Sequence, residues 1–442
     1  MFQILFGLFG LAVLLGIAWA FSANRRAVDW KLVGIGVVLQ LVFACLVLLT
    51  PFGAKAFGAL SQGFIALLGF TQQGANFIFG PFAQPELVGT AIASGQGETA
   101  PGAWQAYGFI FAFQVLPTII FFASLMSVLY HVGVMQKIVE AMAWVIRKVM
   151  RVSGAETLAT CANCFIGQTE SPLVIRPFVA TMTRSELLTL MVGGMATIAG
   201  GVLGAYVAML GGGDPERQAF FARHLITASI MAAPATLVVA KILMPETERP
   251  LTEGHVRVPI ERTATNVIDA AAGGAADGLR LALNVGAMLL AFVALIALVD
   301  APIGWLGQVT QLDTLIGREL SLSVILGYVL APIAWVIGVP LDDSVAVGGL
   351  IGTKVVLNEF VAYADLQRIQ ATLSPQATLI STYALCGFAN FSSIAIQIGG
   401  IGGIAPERRG ELARLGLRAV LGGSIATLMT ATIAGVLSQL AG

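Results

Sequence analysis

Apolar runs of bilayer-spanning length recur along this chain and leave it few folds to adopt. Their spacing predicts spans over about 3–22, 32–50, 105–131, 186–210, 222–244, 278–300, 378–400 and 419–441. A helix needs about 20 apolar residues to cross the hydrocarbon core. Only 11% of the 442 residues are charged, against about 25% in soluble domains. Backbone groups in lipid must find partners within the chain, so the fold class is an all-α polytopic membrane protein with about eight transmembrane helices. The first run also has a signal-peptide look, with Ala18-Trp19-Ala20 resembling a cleavage site. No basic residue precedes it, however, and Arg25, Arg26 and Lys31 follow, which predicts a retained span. Residues 54–80 are amphipathic and rich in Gly and Gln, and read as an interfacial helix; 81–104 read as an external loop.

Two regions break this pattern. Gly167-Gln168-Thr169-Glu170-Ser171-Pro172-Leu173 sets an amide, a hydroxyl and a carboxylate side by side in apolar surroundings. Pro172 then withholds a backbone N–H. Polar backbone at membrane depth is tolerated only where protein buries it or a cavity lies beside it. Both flanks of 134–184 are basic (Lys137, Arg147, Lys148 and Arg151, then Arg176 and Arg184), so this region is predicted to be re-entrant. The second region, 321–362, is apolar but interrupted by Pro332, Pro340 and Asp342-Asp343, and is predicted to be a second re-entrant hairpin. The glycine-rich run 193–201 predicts a break inside the span that holds it.

The two halves echo each other. Ile166-Gly167-Gln168-Thr169-Glu170 is answered by Ile351-Gly352-Thr353-Lys354, with Glu359 as the second carboxylate, and Gly194–Ile198 by Gly387–Phe391. We therefore divide the chain into an N-terminal part (1–104), a first repeat (105–277) and a second repeat (278–442). With both termini outside, 18 of the 24 Lys and Arg residues fall on the inner side. Two copies of opposite orientation form an inverted repeat, and in secondary transporters the substrate sits where the broken helices of the copies meet.

Gln168, Thr169, Glu170, Thr197, Glu359, Asn390 and Ser393 are expected at that meeting point. They offer amides, hydroxyls and carboxylates, a set that suits a neutral solute rich in hydrogen bonds. Phe388 and Val202 suit the flat face of a base. Asn163, Thr197 and carbonyls freed by helix breaks suit a small hard cation. Plainer roles stay open: Gln168 and Asn390 as partners of broken backbone, Glu170 or Glu359 paired with Lys354, and Thr197, Ser393 and Phe388 as packing. Cys161 and Cys164 form a C-x-x-C without thioredoxin-like context, and His131, His224 and His255 lie apart. No phosphate-cradling loop is present, and a net charge of +0 suggests no nucleic-acid partner. An intramembrane enzyme lacks an acid/base or nucleophile pair at recognisable spacing.

Gly167–Leu173, Gly352-Thr353-Lys354 with Asn358-Glu359-Phe360, and Cys386-Gly387-Phe388-Ala389-Asn390 resemble the concentrative nucleoside transporters. The resemblance extends over nearly the whole chain. It implies eight core spans, two re-entrant hairpins and an interfacial helix, with a homotrimer working by an elevator-like cycle. By the same resemblance, Gln168 and Thr169 match base-contacting positions, Glu170 one that acts there through water, and Val202 an apolar base contact. Glu359 matches the ribose-holding carboxylate, Asn390 and Ser393 ribose-side positions, and Phe388 an aromatic near the pocket. Asn163 and Thr197, with the carbonyls of Ile166 and Ile198, match the sodium site. The expected activity is sodium-driven nucleoside import across a bacterial inner membrane, with sodium as coupling ion and no other cofactor; a proton-coupled symporter is the alternative, and a channel a remote one.

Overall fold

Cap residues in the sequence start most of the long helices. Asp29 accepts from two amides of the helix it opens, Thr50 and Asp214 each stand before a proline at the first helical position, and Asn266 and Ser374 bond into the turns they begin. The computed structural model describes residues 2–84, 110–212, 214–252 and 264–441. Most of the expected external loop 81–104 lies outside them. The described residues are helical and contain no strand.

The helices run α1 (Phe2–Ala20), α2 (Trp30–Leu49), α3 (Pro51–Phe79), α4 (Leu116–Val132), α5 (Val134–Met150), α6 (Gly154–Asn163), α7 (Ser171–Val174), α8 (Arg176–Val179), α9 (Arg184–Ala196), α10 (Gly200–Gly211) and α11 (Pro215–Leu243). The series continues with α12 (Val267–Thr310), α13 (Leu322–Val336), α14 (Leu341–Val356), α15 (Glu359–Ile369), α16 (Pro375–Ala384), α17 (Phe391–Ile404) and α18 (Arg409–Ala441). From α4 onward one order of elements occurs twice: a first helix, a second of 15–17 residues, a helix pair closed by a tight tip, a helix broken in the middle, and a long unbroken helix. α4–α11 form the first series and α12–α18 the second.

Several boundaries differ from the sequence-based expectation. The interfacial helix expected over 54–80 is one continuous 29-residue helix, α3, which starts earlier, at Pro51. α5 also has interfacial character: Met135, Val139, Ala143, Ile146 and Met150 are buried at helical spacing and Lys137 and Lys148 are exposed. Region 134–184 therefore holds α5 plus a separate hairpin, 154–179. Arg151 ends α5 in the left-handed region (φ 56°), and the Ser153–Glu156 capping box starts α6. In the second half, α13 and α14 meet at a 116° bend next to Gly338, whose φ of +103° suits glycine. The tip of the second hairpin is Leu357-Asn358, so this hairpin spans 341–369 rather than 321–362. The span expected at 278–300 is the middle of the 44-residue α12.

Burial divides the helices. α9–α11 and α18 are largely enclosed, and their side chains form the main hydrophobic core. α12 is mostly exposed and packs chiefly against α4. Gly274 and Gly278 let α12 approach α4 closely: a Cβ at Gly278 would lie 2.8 Å from that of Ala123. Ser124 Oγ donates to Ala271 O across the same contact.

Candidate functional site

Each hairpin tip rests on a helix break. α6 ends at Asn163, and residues 164–170 form the first tip before Pro172 helps restart the helix. The tip is tied to the 197–199 break by Gly200 N–H donating to Phe165 O at 2.9 Å. The corresponding break, 385–390, separates α16 from α17, and Asn390 caps α17 by accepting from Ser393 N–H. Phe388 N–H donates to Thr197 O at 3.3 Å, so the two breaks touch.

A run of side-chain hydrogen bonds crosses this meeting point. Gln168 Nε2 donates to Ser393 Oγ (3.2 Å), and Gln397 Nε2 donates to Gln168 Oε1 (3.0 Å) and Met191 O (3.0 Å). Asn390 Nδ2 donates to Glu359 Oε2 (3.0 Å), and Tyr206 OH donates to Glu359 Oε1 (2.9 Å). Ser392 Oγ and Ser393 N–H both donate to Asn390 Oδ1. Gln168, Glu359, Asn390 and Ser393 are buried, as is Val202 in the first turn of α10. The first hairpin, the second hairpin and both broken helices thus contribute to one enclosed polar group.

The remaining expected residues fall around it. Thr169 is half-buried against α17, close to Gly400, and Phe388 is half-buried against the core. Glu170 is exposed and folds back over Gly167, outside the buried hydrogen-bonded run. Lys354 pairs with neither carboxylate: its ammonium donates to Ala384 O (2.8 Å) and Thr427 Oγ1 (2.9 Å). Cys161 and Cys164 are buried free thiols.

The donors expected for a cation lie at the first tip and its break. Asn163 Oδ1 accepts from Ser171 Oγ at 2.6 Å, while the buried Asn163 Nδ2 has no partner and faces Gly193. Turning this amide over keeps the serine contact and places an oxygen in the orphaned position. Thr197 Oγ1 donates to Gly193 O at 2.9 Å, which leaves the hydroxyl's lone pairs available. Among the described residues, the Ile166 and Ile198 carbonyls accept no hydrogen bond. With the amide turned over, one amide, one hydroxyl and two carbonyl oxygens would have lone pairs available there, a donor set that suits a hard monovalent cation.

Three family profiles match nearly end to end: "Na+ dependent nucleoside transporter N-terminus" over residues 9–82, "Nucleoside recognition" over 112–213, and "Na+ dependent nucleoside transporter C-terminus" over 224–435. The chain belongs to the concentrative nucleoside transporter family. The nucleoside permease NupC of Helicobacter pylori is 39% identical over 98% of each chain. Sodium/nucleoside cotransporter 1 of Mus musculus is 37% identical over 97% of this chain and 63% of its own length. The structure of CNTnw in an inward-facing substrate-bound state superimposes with a TM-score of 0.87 at 42% identity, covering 99% of this chain and 98% of that one. A CNTnw variant in an outward-facing state gives 0.88 at 40% identity, covering 100% and 99%. These named relatives are transporters and permeases, not enzymes.

Two residues of this family member's polar group escaped the sequence reading. Tyr206 stands four residues after Val202, so both face the same way from α10. Gln397 stands four residues after Ser393 in the otherwise apolar α17 and is fully buried. A glutamine at helical spacing from a site serine was the available signal for the second. Tyr206 carried none, because a tyrosine in an apolar run reads as core.

Proposed function

We propose that this chain is a sodium-coupled nucleoside importer that works by elevator-type alternating access. The observation that carries the reading is the buried run from Gln168 through Ser393 and Asn390 to Glu359 and Tyr206, which draws on both hairpins and both broken helices. Glu359 offers two carboxylate oxygens suited to adjacent ribose hydroxyls, with Asn390 and Ser393 beside it. Gln168 pairs a donor with an acceptor, as the edge of a base requires. Thr169, Val202 and Phe388 border the base side, and Glu170 reaches it through water. Without ligand these groups bond to one another, so a nucleoside exchanges one set of hydrogen bonds for another. The arrangement needs little reordering, and that favours affinity.

Asn163, Thr197 and the Ile166 and Ile198 carbonyls would hold sodium. A cation there neutralises the orphaned oxygens and steadies the first tip, from which Gln168 reaches the base. Ion and nucleoside must then favour each other equally. Each repeat contributes three crossings around a hairpin that does not cross; an odd number reverses the second repeat and gives the inverted symmetry that alternating access uses. The enclosed helices with the hairpins form the moving part, against a scaffold built around α4 and α12. The outer face of α12 exposes Leu283, Leu290 and Leu298, which suits lipid or the neighbouring copies of a homotrimer. On this reading the protein lies in a bacterial inner membrane with both termini outside.

Uptake of labelled uridine and adenosine into proteoliposomes under imposed sodium or proton gradients tests this reading. Accumulation driven by sodium is the expected result. Accumulation that follows only the proton gradient would transfer the coupling to protons, and flux that never exceeds equilibrium would leave a channel.

A further inference from the structure

Lys354 is a buried cation, at the second hairpin, that the proposed transport cycle leaves unused. It is 1% exposed and lies in the last turn of α14, the first arm of the second hairpin. Asn163 lies in the last turn of α6, the matching arm of the first hairpin. Each side chain turns to the broken helix of its own repeat. Asn163 faces Gly193, in the last turn of α9 before the 197–199 break. Lys354 Nζ donates to the carbonyl of Ala384, the residue at which α16 stops. Among the described residues no backbone N–H reaches the Ala384 carbonyl, so the ammonium is its recorded donor.

The end of a helix gathers unsatisfied carbonyls and partial negative charge, and a cation there is stabilising. The first repeat presents carbonyl, amide and hydroxyl oxygens at this point and, among the described residues, no side-chain cation. The second repeat presents a carbonyl and a hydroxyl, Ala384 O and Thr427 Oγ1, and already holds a charged nitrogen between them. From α18, Thr427 completes the seat and donates its own hydroxyl hydrogen bond to Ser424 O. The break after Ala384 leads directly to Asn390, which bonds Glu359. A charge on Ala384 therefore holds one end of the segment whose other end positions the site.

We propose that Lys354 is a tethered cation: its ammonium takes, at the second hairpin and its broken helix, the place that a mobile cation takes in the first repeat. The second repeat thus carries its cation as part of the chain, and only the first responds to ion concentration. Lys354 is a positioning residue, acting on the nucleoside through the 385–390 break and Asn390. The comparison with a mobile cation rests on the sodium reading above; the seat itself does not.

Two variants of the full-length protein in detergent test the proposal. Lys354→Met keeps the bulk of the side chain and removes the charge; uridine affinity is expected to fall at least ten-fold while the sodium concentration for half-maximal binding stays as in the parent. Lys354→Ala opens a space that n-propylammonium fills. Propylammonium chloride is expected to raise the melting temperature of Lys354→Ala and restore its uridine binding, whereas tetramethylammonium chloride, which has no N–H, does neither. The parent should respond equally to the two salts. Parental uridine affinity in Lys354→Met overturns the proposal, as does a Lys354→Ala protein that treats the two salts alike. Should Lys354→Ala not fold, the Lys354→Met affinity decides. A parent whose uridine binding ignores sodium defeats the coupling reading alone, because the amine-dependent melting shift needs neither sodium nor nucleoside.

Discussion

The phenol of Tyr206 donates a 2.9 Å hydrogen bond to Glu359 Oε1, joining α10 of the first repeat to the tip of the second hairpin. The two residues are 153 positions apart. Both are buried, and Asn390 supplies the other oxygen of the carboxylate with a second donor. Tyr206 also packs against Phe360 and Tyr363 at ring-centroid distances of 4.6 Å each, so its hydroxyl is held by an aromatic cluster. Glu359 is thereby held in one orientation by two donors.

This relationship sets the order of effects expected at the proposed ribose side. A hydrogen bond to a charged group is worth about 1.5–3 kcal/mol, or about ten- to a hundred-fold in Kd. Glu359→Ala should abolish measurable uridine binding while the protein stays monodisperse. Tyr206→Phe should weaken binding about ten-fold, because the carboxylate remains but is less firmly held. Calorimetric titration of both variants checks this, and an unchanged Kd in Glu359→Ala would remove the carboxylate from the site.

Gln168 and Ser393 should act as a unit where the proposed base and ribose sides meet. Their side chains bond directly across the two repeats at 3.2 Å. Single alanine variants and the double variant should show a coupling of about 0.5–3 kcal/mol in nucleoside affinity, as contacting residues do. Strictly additive losses would mean that the ligand reads the two side chains separately.

At the proposed cation site, Asn163→Leu should raise the sodium concentration needed for half-maximal uptake at least ten-fold. Ser171→Ala removes only the group that orients the amide and should produce a smaller shift. Uptake measured against sodium concentration at constant ionic strength checks both; parental sodium dependence in Asn163→Leu would exclude this amide as a ligand.

Away from the site, Lys241 bridges Glu156 at 2.8 Å and Glu246 at 3.4 Å, and donates to Ser185 Oγ, at the base of the first hairpin. Lys241→Met leaves Glu156 buried and without its cation, a loss of about 3–5 kcal/mol. A marked fall in melting temperature is expected, with partial recovery in Lys241→Met/Glu156→Gln. An unchanged melting temperature in the single variant would show that the pair contributes nothing net.

Much of this protein was legible in local signals. Apolar runs, prolines and glycines announced an all-α membrane fold with two broken regions, because hydrophobic length and missing backbone donors act within a few residues. The stretch Gly167–Leu173 likewise marked a tip of the site. Other decisions belonged to tertiary packing. Pro340 and Asp342-Asp343 suggested a turn inside 321–362, but the structure uses that point for the 116° bend and puts the tip at Leu357-Asn358. Glu170 and Glu359 look alike as intramembrane carboxylates; one is exposed, and the other is enclosed by Tyr206 and Asn390. Lys354 looked like a counter-ion for either and instead binds a helix end. Composition and periodicity act along the chain, so the sequence alone could specify the helices and where they break. The partner of a buried polar group lies across the chain, more than 150 positions away for Tyr206 and more than 200 for Gln168, and only the folded packing of the two repeats selects it.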